Sequence, residues 1–406
     1  MILIMAWRNI WRNKRRSIIT ISSIAFAVLF ACVFMSMQYG SMTYMVDNAV
    51  RFYSGHMQVQ EENYWDERTL DNSMSYSPEI LLKLDRTEGV KVAVPRVESF
   101  ALSAYESLTR PAMVMGVDFA RENEITRITQ KLVEGDLLEK DEKGVLLSSG
   151  LAEYLKMGVG DTLVLIGQGY HGINAAALFA VKGLIKFANP EQNKRVVAMS
   201  IADAQYFYGM EGRLTSVAIL MDDSKTLAET VQNVKTNFPN AGLAVLDWQE
   251  MMPEIVQIMN LKYGNSRKMI MILYAVIAFG MFGTFLMLTA ERTREFGIML
   301  SVGMRRRVLQ TSIFSEITMM SMIGVLAGVA MSLVVIIYFH YNPIDLGTSM
   351  DEMADRYGME VALVFSADPK VFLEQAWAVF VIAFILSFYP LLILFRLRPV
   401  DAMRKG

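Results

Sequence analysis

Side chains that could carry metal or covalent chemistry are few in this sequence and lie far apart. The chain has three histidines, His56, His171 and His340, and one cysteine, Cys32. Metal sites in proteins need several such ligands at short, regular spacings, and none of these histidines has a cysteine or carboxylate partner at such a spacing. A phosphate-binding loop of the form G-x-x-x-x-G-K-[ST] is also absent from the sequence. We therefore expect no catalytic residue, no metal site and no cofactor in this chain.

The stretch ERTREFGIMLSVGMRRR, residues 291–307, is the strongest candidate for a binding function. Four of its apolar residues would form one stripe on a helix, namely Phe296, Met299, Leu300 and Met304. Glu291 and Glu295 would then lie in the first turns and three arginines at the C-terminal end, where each charge suits the helix dipole. Two interpretations are open from the residues alone. The stripe could insert into a groove of another protein, or the stretch could be a basic loop on lipid headgroups.

The elements that must position this stretch are predicted to be membrane helices. Hydrophobic residues make up 53% of the 406 residues, and the mean hydropathy is +0.31, which is too apolar for an ordinary soluble enzyme. A membrane-spanning helix needs about 20 consecutive apolar residues. Four segments meet this length: residues 17–40, 268–290, 308–339 and 375–395.

The distribution of lysine and arginine predicts how these spans are oriented. Basic residues cluster in 1–16, in 291–307 and in 396–406, whereas residues 340–374 are mainly acidic. Because basic residues favour the cytoplasmic side, we expect both termini in the cytoplasm, an external loop over 340–374 and a large external domain over 41–267. The formal net charge of -2 gives no reason to expect a nucleic-acid partner.

The external domain is predicted to be α+β. The runs VKVAVPRVES and RPAMVMGVD have strand character, and Ser77 followed by Pro78 is typical of a helix start. Segments 41–54 and 248–268 are predicted to extend the first two spans as a helical stalk. The predicted fold class is thus an α-helical membrane protein with four transmembrane helices plus a large α+β extracytoplasmic (periplasmic) domain between the first and second.

Residues 1–16 and Glu316 are the remaining features that the sequence singles out. Residues 1–16 predict an amphipathic helix on the inner membrane surface, with Ile4, Trp7 and Trp11 on one face. Glu316 lies inside the third span, where an ionisable group is costly unless it faces protein or water. We expect a packing or coupling role for Glu316, with snorkelling toward the interface as the alternative.

Motifs along the whole chain resemble one family. RTREFGIMLSVGMRRR is similar to the coupling-helix signature of the FtsX/MacB/LolC superfamily of ABC transporter permeases. WRNIWRNKRRSIIT is similar to the N-terminal element of that family, and RLRPVDAMRKG is similar to its C-terminal ending, with Asp401 where Glu is usual. GVLLSSGLAEYLKMGVGDTLVL and SIADAQYFYG resemble its periplasmic core domain. The ATPase-coupling residues that the resemblance implies are Arg294, Glu295, Phe296, Gly297, Met299, Leu300 and Gly303.

The resemblance also implies a set of partners. A separate ABC ATPase dimer would bind ATP and Mg, since this chain has no phosphate loop, and a second permease copy or a paralogue would complete the transporter in the bacterial inner membrane. Membrane lipids would surround the spans.

The length of the chain and the stretch SGHMQVQEENYW are similar to the lipoprotein-releasing branch of LolC and LolE type. That likeness implies extraction of lipoproteins and their transfer to a periplasmic lipoprotein carrier. The implied carrier contact loop contains Gln168, Tyr170, His171 and Ile173, and an ordinary Gly-rich hairpin is the alternative interpretation. The rival function is a mechanotransmitting permease that exports another substrate or signals to a periplasmic partner such as a cell-wall hydrolase.

Overall fold

The computed structural model describes residues 2–50, 54–139, 142–187, 190–223, 226–238, 242–345 and 362–396. The described residues divide into a helical unit, within 2–44, 259–345 and 362–396, and a sheet unit, within 45–258. Residues 346–361 of the predicted external loop and residues 397–406 of the predicted tail lie outside the described ranges.

Helices and strands are numbered separately in chain order. The helices are α1 (Ile2–Arg12), α2 (Lys14–Ala49), α3 (Tyr64–Glu67), α4 (Pro78–Asp85), α5 (Phe119–Thr126), α6 (Ser149–Leu155), α7 (Pro190–Asn193), α8 (Ile201–Tyr208), α9 (Leu227–Asn237), α10 (Trp248–Met251), α11 (Pro253–Ser301), α12 (Arg306–Tyr341), α13 (Pro369–Leu386) and α14 (Phe388–Arg396). The strands are β1 (Met57–Glu61), β2 (Met74–Ser75), β3 (Val90–Tyr105), β4 (Leu108–Val117), β5 (Leu132–Gly135), β6 (Val145–Ser148), β7 (Thr162–Gln168), β8 (Asn174–Ile185), β9 (Val196–Ser200), β10 (Arg213–Leu214), β11 (Ser216–Met221), β12 (Leu243–Asp247), β13 (Ile344–Asp345) and β14 (Ala362–Leu363).

Four helical segments of the described chain are long and apolar enough to cross a membrane: α2, α11, α12 and the pair α13 and α14. Each contains one of the four predicted spans. Both α2 and α11 continue beyond their predicted spans as unbroken helices, because neither has a proline inside it. The helical extension predicted over 248–268 starts at Pro253, since α10 is a separate single turn.

The fourth span starts earlier than predicted and is interrupted. It begins at Pro369, because the Asp368 carboxylate accepts a hydrogen bond from the Lys370 N–H at 2.9 Å and so caps the helix. The first helix of the span, α13, ends at Leu386, because Pro390 lacks the N–H that would donate to the Leu386 carbonyl. The short helix α14 then completes the span.

Two glycines one turn apart bring α12 close to α2. A Cβ atom at Gly324 would lie 2.9 Å from the Ile21 carbonyl oxygen, and a Cβ atom at Gly328 would lie 2.6 Å from the Ala25 carbonyl oxygen. Small residues at this spacing allow close contact between membrane helices. The two helices therefore pack backbone against backbone at this point.

The close contact predicts opposite effects for the same substitution on two helices. Gly328→Ala should lower the free energy of unfolding by about 1 to 3 kcal/mol, because the added methyl group forces α2 and α12 apart. Gly280→Ala on α11 is the matched control, since a Cβ atom there meets nothing within 4 Å and alanine favours the helix. Thermal unfolding of the detergent-solubilised chain measures the stability of both variants. Equal stability of the two would contradict the predicted contact.

The sheet unit is built on one mixed sheet. Among the described residues its strands follow the order β12-β1-β11-β3-β4-β9-β6-β8-β5, with β7 paired to β3 and β8. The pairs β4–β9 and β6–β8 are parallel. The main core lies between the sheet and α4, α6, α8 and α9, whereas α5 covers part of the opposite face. The predicted α+β domain is confirmed, and its two predicted strand runs form β3 and β4.

A buried charge cluster fixes α5 on the sheet. Arg96 on β3 donates two hydrogen bonds to the carboxylate of Glu122 on α5, at 2.9 and 2.7 Å, and a third to Glu98 at 3.3 Å. Arg96 and Glu122 are both fully buried. Burial raises the pKa of the Glu122 carboxyl, and the positive charge of Arg96 opposes this rise.

Removing one partner of this cluster should destabilise the sheet unit strongly. Glu122→Gln leaves the Arg96 charge buried without its main partner, which typically costs about 3 to 5 kcal/mol. Glu124→Gln on the same helix is the control, because its ion pair with Lys91 is about half exposed and should contribute less than about 1 kcal/mol. Pulse proteolysis of the full chain in urea gives the urea concentration at which half of each variant is unfolded. Similar values for the two variants would refute the prediction.

Candidate functional site

The stretch 291–307 is not the separate short helix that the sequence suggested. Helix α11 continues without a break to Ser301, and α12 starts at Arg306. Between them, Gly303 adopts a left-handed φ of 101°. Its N–H donates to the Leu300 carbonyl at 3.1 Å, and the Met304 N–H donates to the Met299 carbonyl at 3.1 Å. This is a Schellman turn, which satisfies the last carbonyls of α11 and reverses the chain in very few residues.

The predicted apolar stripe faces the chain's own core. Buried residues recur along α11 at helical spacing, and they include Ile277, Met281, Phe285, Leu288, Arg292 and Phe296. Met299, Leu300 and Met304 pack against the same core. The prediction that this stripe enters another protein's groove is therefore wrong for Phe296, which is only 3% exposed. Gly297 is buried beside it.

A different face of the same segment is exposed. Arg294 lies on it with Ile298 and Val302, of which Val302 is 84% exposed. Gly303 forms the exposed end of the turn. We name this set, Arg294, Ile298, Val302 and Gly303, the turn surface. It combines one positive charge with two large exposed apolar side chains, a composition compatible with both open interpretations of this stretch, a protein groove and lipid headgroups.

Glu291 and Glu295 do not complement a helix N-terminus as predicted. They lie within the last three turns of α11, so neither is at a helix N-terminus, where the dipole would stabilise a negative charge. Arginines compensate instead: Arg16 Nε lies 2.7 Å from Glu291 Oε2, and Arg12 lies 3.9 Å from Glu295. The N-terminal segment of the chain is thereby connected to the end of α11.

Glu316 has a partner that the sequence did not identify. Its Oε1 accepts a hydrogen bond from Arg292 at 2.7 Å, and both side chains are about 95% buried. Arg292 also lies 3.8 Å from Glu295. The alternative of snorkelling toward the interface is excluded by this burial. The pair joins α11 to α12 about three helical turns from the Schellman turn.

The residues predicted to contact a carrier lie on the tight loop between β7 and β8: Gln168, Tyr170, His171 and Ile173. The loop is held from both sides. The His171 N–H donates to Asp71 Oδ1 at 2.7 Å, and the Arg213 guanidinium lies 4.8 Å from the centre of the Tyr170 ring. Ile173 remains 54% exposed. Contact of this loop with a carrier stays a prediction.

These sites combine an exposed face, a buried ion pair and one long helix. Within the described ranges no group of three or more His, Cys, Asp or Glu side chains is arranged to hold a metal ion. The turn surface is exposed, the Arg292–Glu316 pair joins two helices, and α11 is one continuous helix of 49 residues.

Comparisons with known proteins place both units in one family. Residues 17–237 match the MacB-like periplasmic core domain, and residues 268–399 match the FtsX-like permease C-terminal family. The lipoprotein-releasing system transmembrane protein LolC of Xylella fastidiosa (strain 9a5c) is 22% identical over 325 residues, which cover 77% of each chain. LolC of Neisseria meningitidis serogroup B is 21% identical over 267 residues, or 64% of each chain.

A solved structure, the periplasmic region of MacB from Actinobacillus actinomycetemcomitans, matches 50% of this chain and 92% of its own with 14% identity and a TM-score of 0.36. The assignment itself depends on the two family matches. The MacB-like match alone covers more than half of the chain, and the FtsX-like match begins inside α11 and continues through α14. The chain therefore belongs to the FtsX/MacB/LolC superfamily of ABC transporter permeases.

Proposed function

We propose that this chain is the non-catalytic permease subunit of a lipoprotein-releasing transporter in the bacterial inner membrane. A separate ABC ATPase dimer binds ATP and Mg, and a second permease copy or a paralogue completes the assembly. The observation that carries the proposal is the turn surface, an exposed apolar and basic face at the junction of two spans in a chain of this family. The similarity of this chain to LolC of Xylella fastidiosa (strain 9a5c), which covers 77% of each chain, supports the choice of substrate.

The turn surface is the docking site for the ATPase in this proposal. Val302 and Ile298 insert into the partner, and Arg294 pairs with an acidic group at its rim. The buried residues Phe296 and Gly297 seat the turn on the helical unit, and the partly buried Met299 and Leu300 pack beside them. Glu295 lies 3.9 Å from Arg12 and 3.8 Å from Arg292, beside this surface.

Motion of the ATPase then reaches both spans together. When ATP closes the dimer, the turn surface moves with it. Because the Arg292–Glu316 pair and the Schellman turn join α11 to α12, the two helices respond as one body. The unbroken helix α11 carries the motion toward the external side. Both termini face the cytoplasm in this arrangement.

The work done is the transfer of acyl chains from the bilayer toward water. Exposing each buried CH₂ group costs about 0.8 kcal/mol, so a lipoprotein with several long acyl chains does not leave the membrane without an energy source. A periplasmic carrier that shields these chains lowers this cost. The loop of Gln168, Tyr170, His171 and Ile173 is the proposed contact for that carrier.

Affinity purification of the full chain in mild detergent tests the proposal. We expect an ABC ATPase and acylated lipoproteins to co-purify with the chain. An ATPase without lipoproteins, but with a cell-wall hydrolase or another periplasmic protein, would replace lipoprotein release by signal transmission. Purification without any ATPase would overturn the docking role of the turn surface.

The docking role also predicts the effect of one exposed substitution. Val302→Glu should lower the affinity for the ATPase roughly 30-fold, which corresponds to about 2 kcal/mol, because a charge replaces a desolvated apolar anchor. Folding should be unaffected, since Val302 is 84% exposed. The amount of ATPase retained during purification and the ATP turnover at rising ATPase concentration measure the effect.

Val133→Glu is the control for this experiment. It makes the same replacement at a valine that is 62% exposed on β5 of the sheet unit, and it should retain ATPase at the wild-type level. Equal retention by both variants would show that Val302 is not an anchor.

A further inference from the structure

Helix α1 has two faces with different surroundings. Ala6 and Ile10 are buried against the helical unit, at 0% and 3% exposure, and the Ser17 hydroxyl donates to the Ile10 carbonyl at 2.8 Å. The neighbouring face carries Trp7 and Trp11, which are 44% and 55% exposed. Their rings contact each other edge to face, with centroids 5.9 Å apart.

Basic side chains accompany this aromatic face. Arg8, Arg12, Lys14 and Arg15 are all exposed, and α2 begins its apolar run immediately after them. Exposed tryptophans beside arginine and lysine at the end of a membrane span match the chemistry of an interface with anionic lipid headgroups. The charge complementarity selects an anionic leaflet as the occupant of this face.

The same segment holds the end of α11 through two ion pairs of unequal strength. Arg16 to Glu291 is short, at 2.7 Å, and its side chains are 38% and 33% exposed. Arg12 to Glu295 is long, at 3.9 Å, and its side chains are 60% and 41% exposed. We name the second pair the outer latch. Exposed and long ion pairs contribute little to stability, so a competing anion can displace Glu295 from Arg12 more easily than Glu291 from Arg16.

We infer that α1 senses the charge of the adjacent leaflet and transmits it to the turn surface through the outer latch. Phosphate groups of anionic lipids compete with Glu295 for Arg12. When a phosphate group replaces Glu295 at Arg12, the remaining partner of Glu295 is Arg292. Arg292 lies 3.8 Å from Glu295 and already donates a hydrogen bond to Glu316. The end of α11 then loses its ion pair to α1, while Arg16 still pairs with Glu291 and Arg292 still joins α11 to α12. The consequence for ATPase coupling rests on the proposed function, but the lipid-dependent latch does not.

Distance measurement by electron paramagnetic resonance tests the latch directly. Spin labels are placed at Met5→Cys on α1 and Ile298→Cys on α11, in a Cys32→Ala background of the full chain. The chain is reconstituted in nanodiscs of phosphatidylcholine alone or of an equal mixture with phosphatidylglycerol. Since an anionic leaflet attracts each basic residue by an amount that corresponds to roughly fivefold in an equilibrium ratio, we expect the ratio of long to short distances to rise about fivefold in the mixture.

Two variants and one soluble anion complete the experiment. Glu295→Gln should give the same distance distribution in both lipid compositions, because the pair with which the lipid phosphates compete is gone. Glu374→Gln removes an exposed carboxylate from α13 and should keep the wild-type lipid response. Free glycerol phosphate added to neutral nanodiscs should leave the short distance dominant, because the inference assigns the anion to the leaflet.

Identical distance distributions in the two lipid compositions would overturn the inference, as would a Glu295→Gln variant that still responds to phosphatidylglycerol. An equal effect of free glycerol phosphate would overturn the assignment to a lipid surface. None of these outcomes depends on whether an ATPase co-purifies, so failure of the latch and failure of the proposed function are distinguishable.

Discussion

A charge inside a bundle of membrane helices is stable only when its partner is fixed in place, and the Arg292–Glu316 pair meets this condition. Each side chain comes from a different helix, and the two atoms that bond lie 2.7 Å apart. Leaving either group alone would strand a buried charge, at a cost of about 3 to 5 kcal/mol. The relative position of α11 and α12 near their turn is therefore restricted to those arrangements that keep the pair intact. The Schellman turn and the burial of Phe296 are consistent with the same relative position of α11 and α12.

The sheet unit uses the same kind of restraint at another place. Arg96 and Glu122 connect a central strand to the helix on its minor face, where few apolar residues are available. A fork of two hydrogen bonds gives this contact a direction that apolar packing alone lacks. In both units, an arginine that is almost wholly buried fixes one helix against its neighbour, and the larger apolar cores provide most of the remaining stability.

Much of the fold followed from local composition. Runs of about 20 apolar residues predicted all four spans, and two runs rich in strand-forming residues predicted β3 and β4. Local patterns could not show that α11 passes through the charged stretch at 291–301, because the charges there resembled helix start and stop signals. The spacing of the buried positions could have shown that the helix continues, because one stripe runs through Phe285, Leu288, Arg292 and Phe296. The sequence could not identify the partners of Glu291, Glu295 and Glu316 on neighbouring helices. Tertiary packing brings these partners to the glutamates, and they are Arg16, Arg12 and Arg292.

The unbroken course of α11 also limits how the length of this protein can change. Each residue advances an α-helix by about 100°, so inserting one residue within the span would turn everything beyond it, including the turn surface, by that angle. The buried stripe from Ile270 to Phe296 would then face lipid over part of its length. Insertions or deletions of seven residues, close to two full turns, nearly restore the register. Length variation in this helix is therefore expected in steps of about two turns, whereas surface loops of the sheet unit can vary one residue at a time.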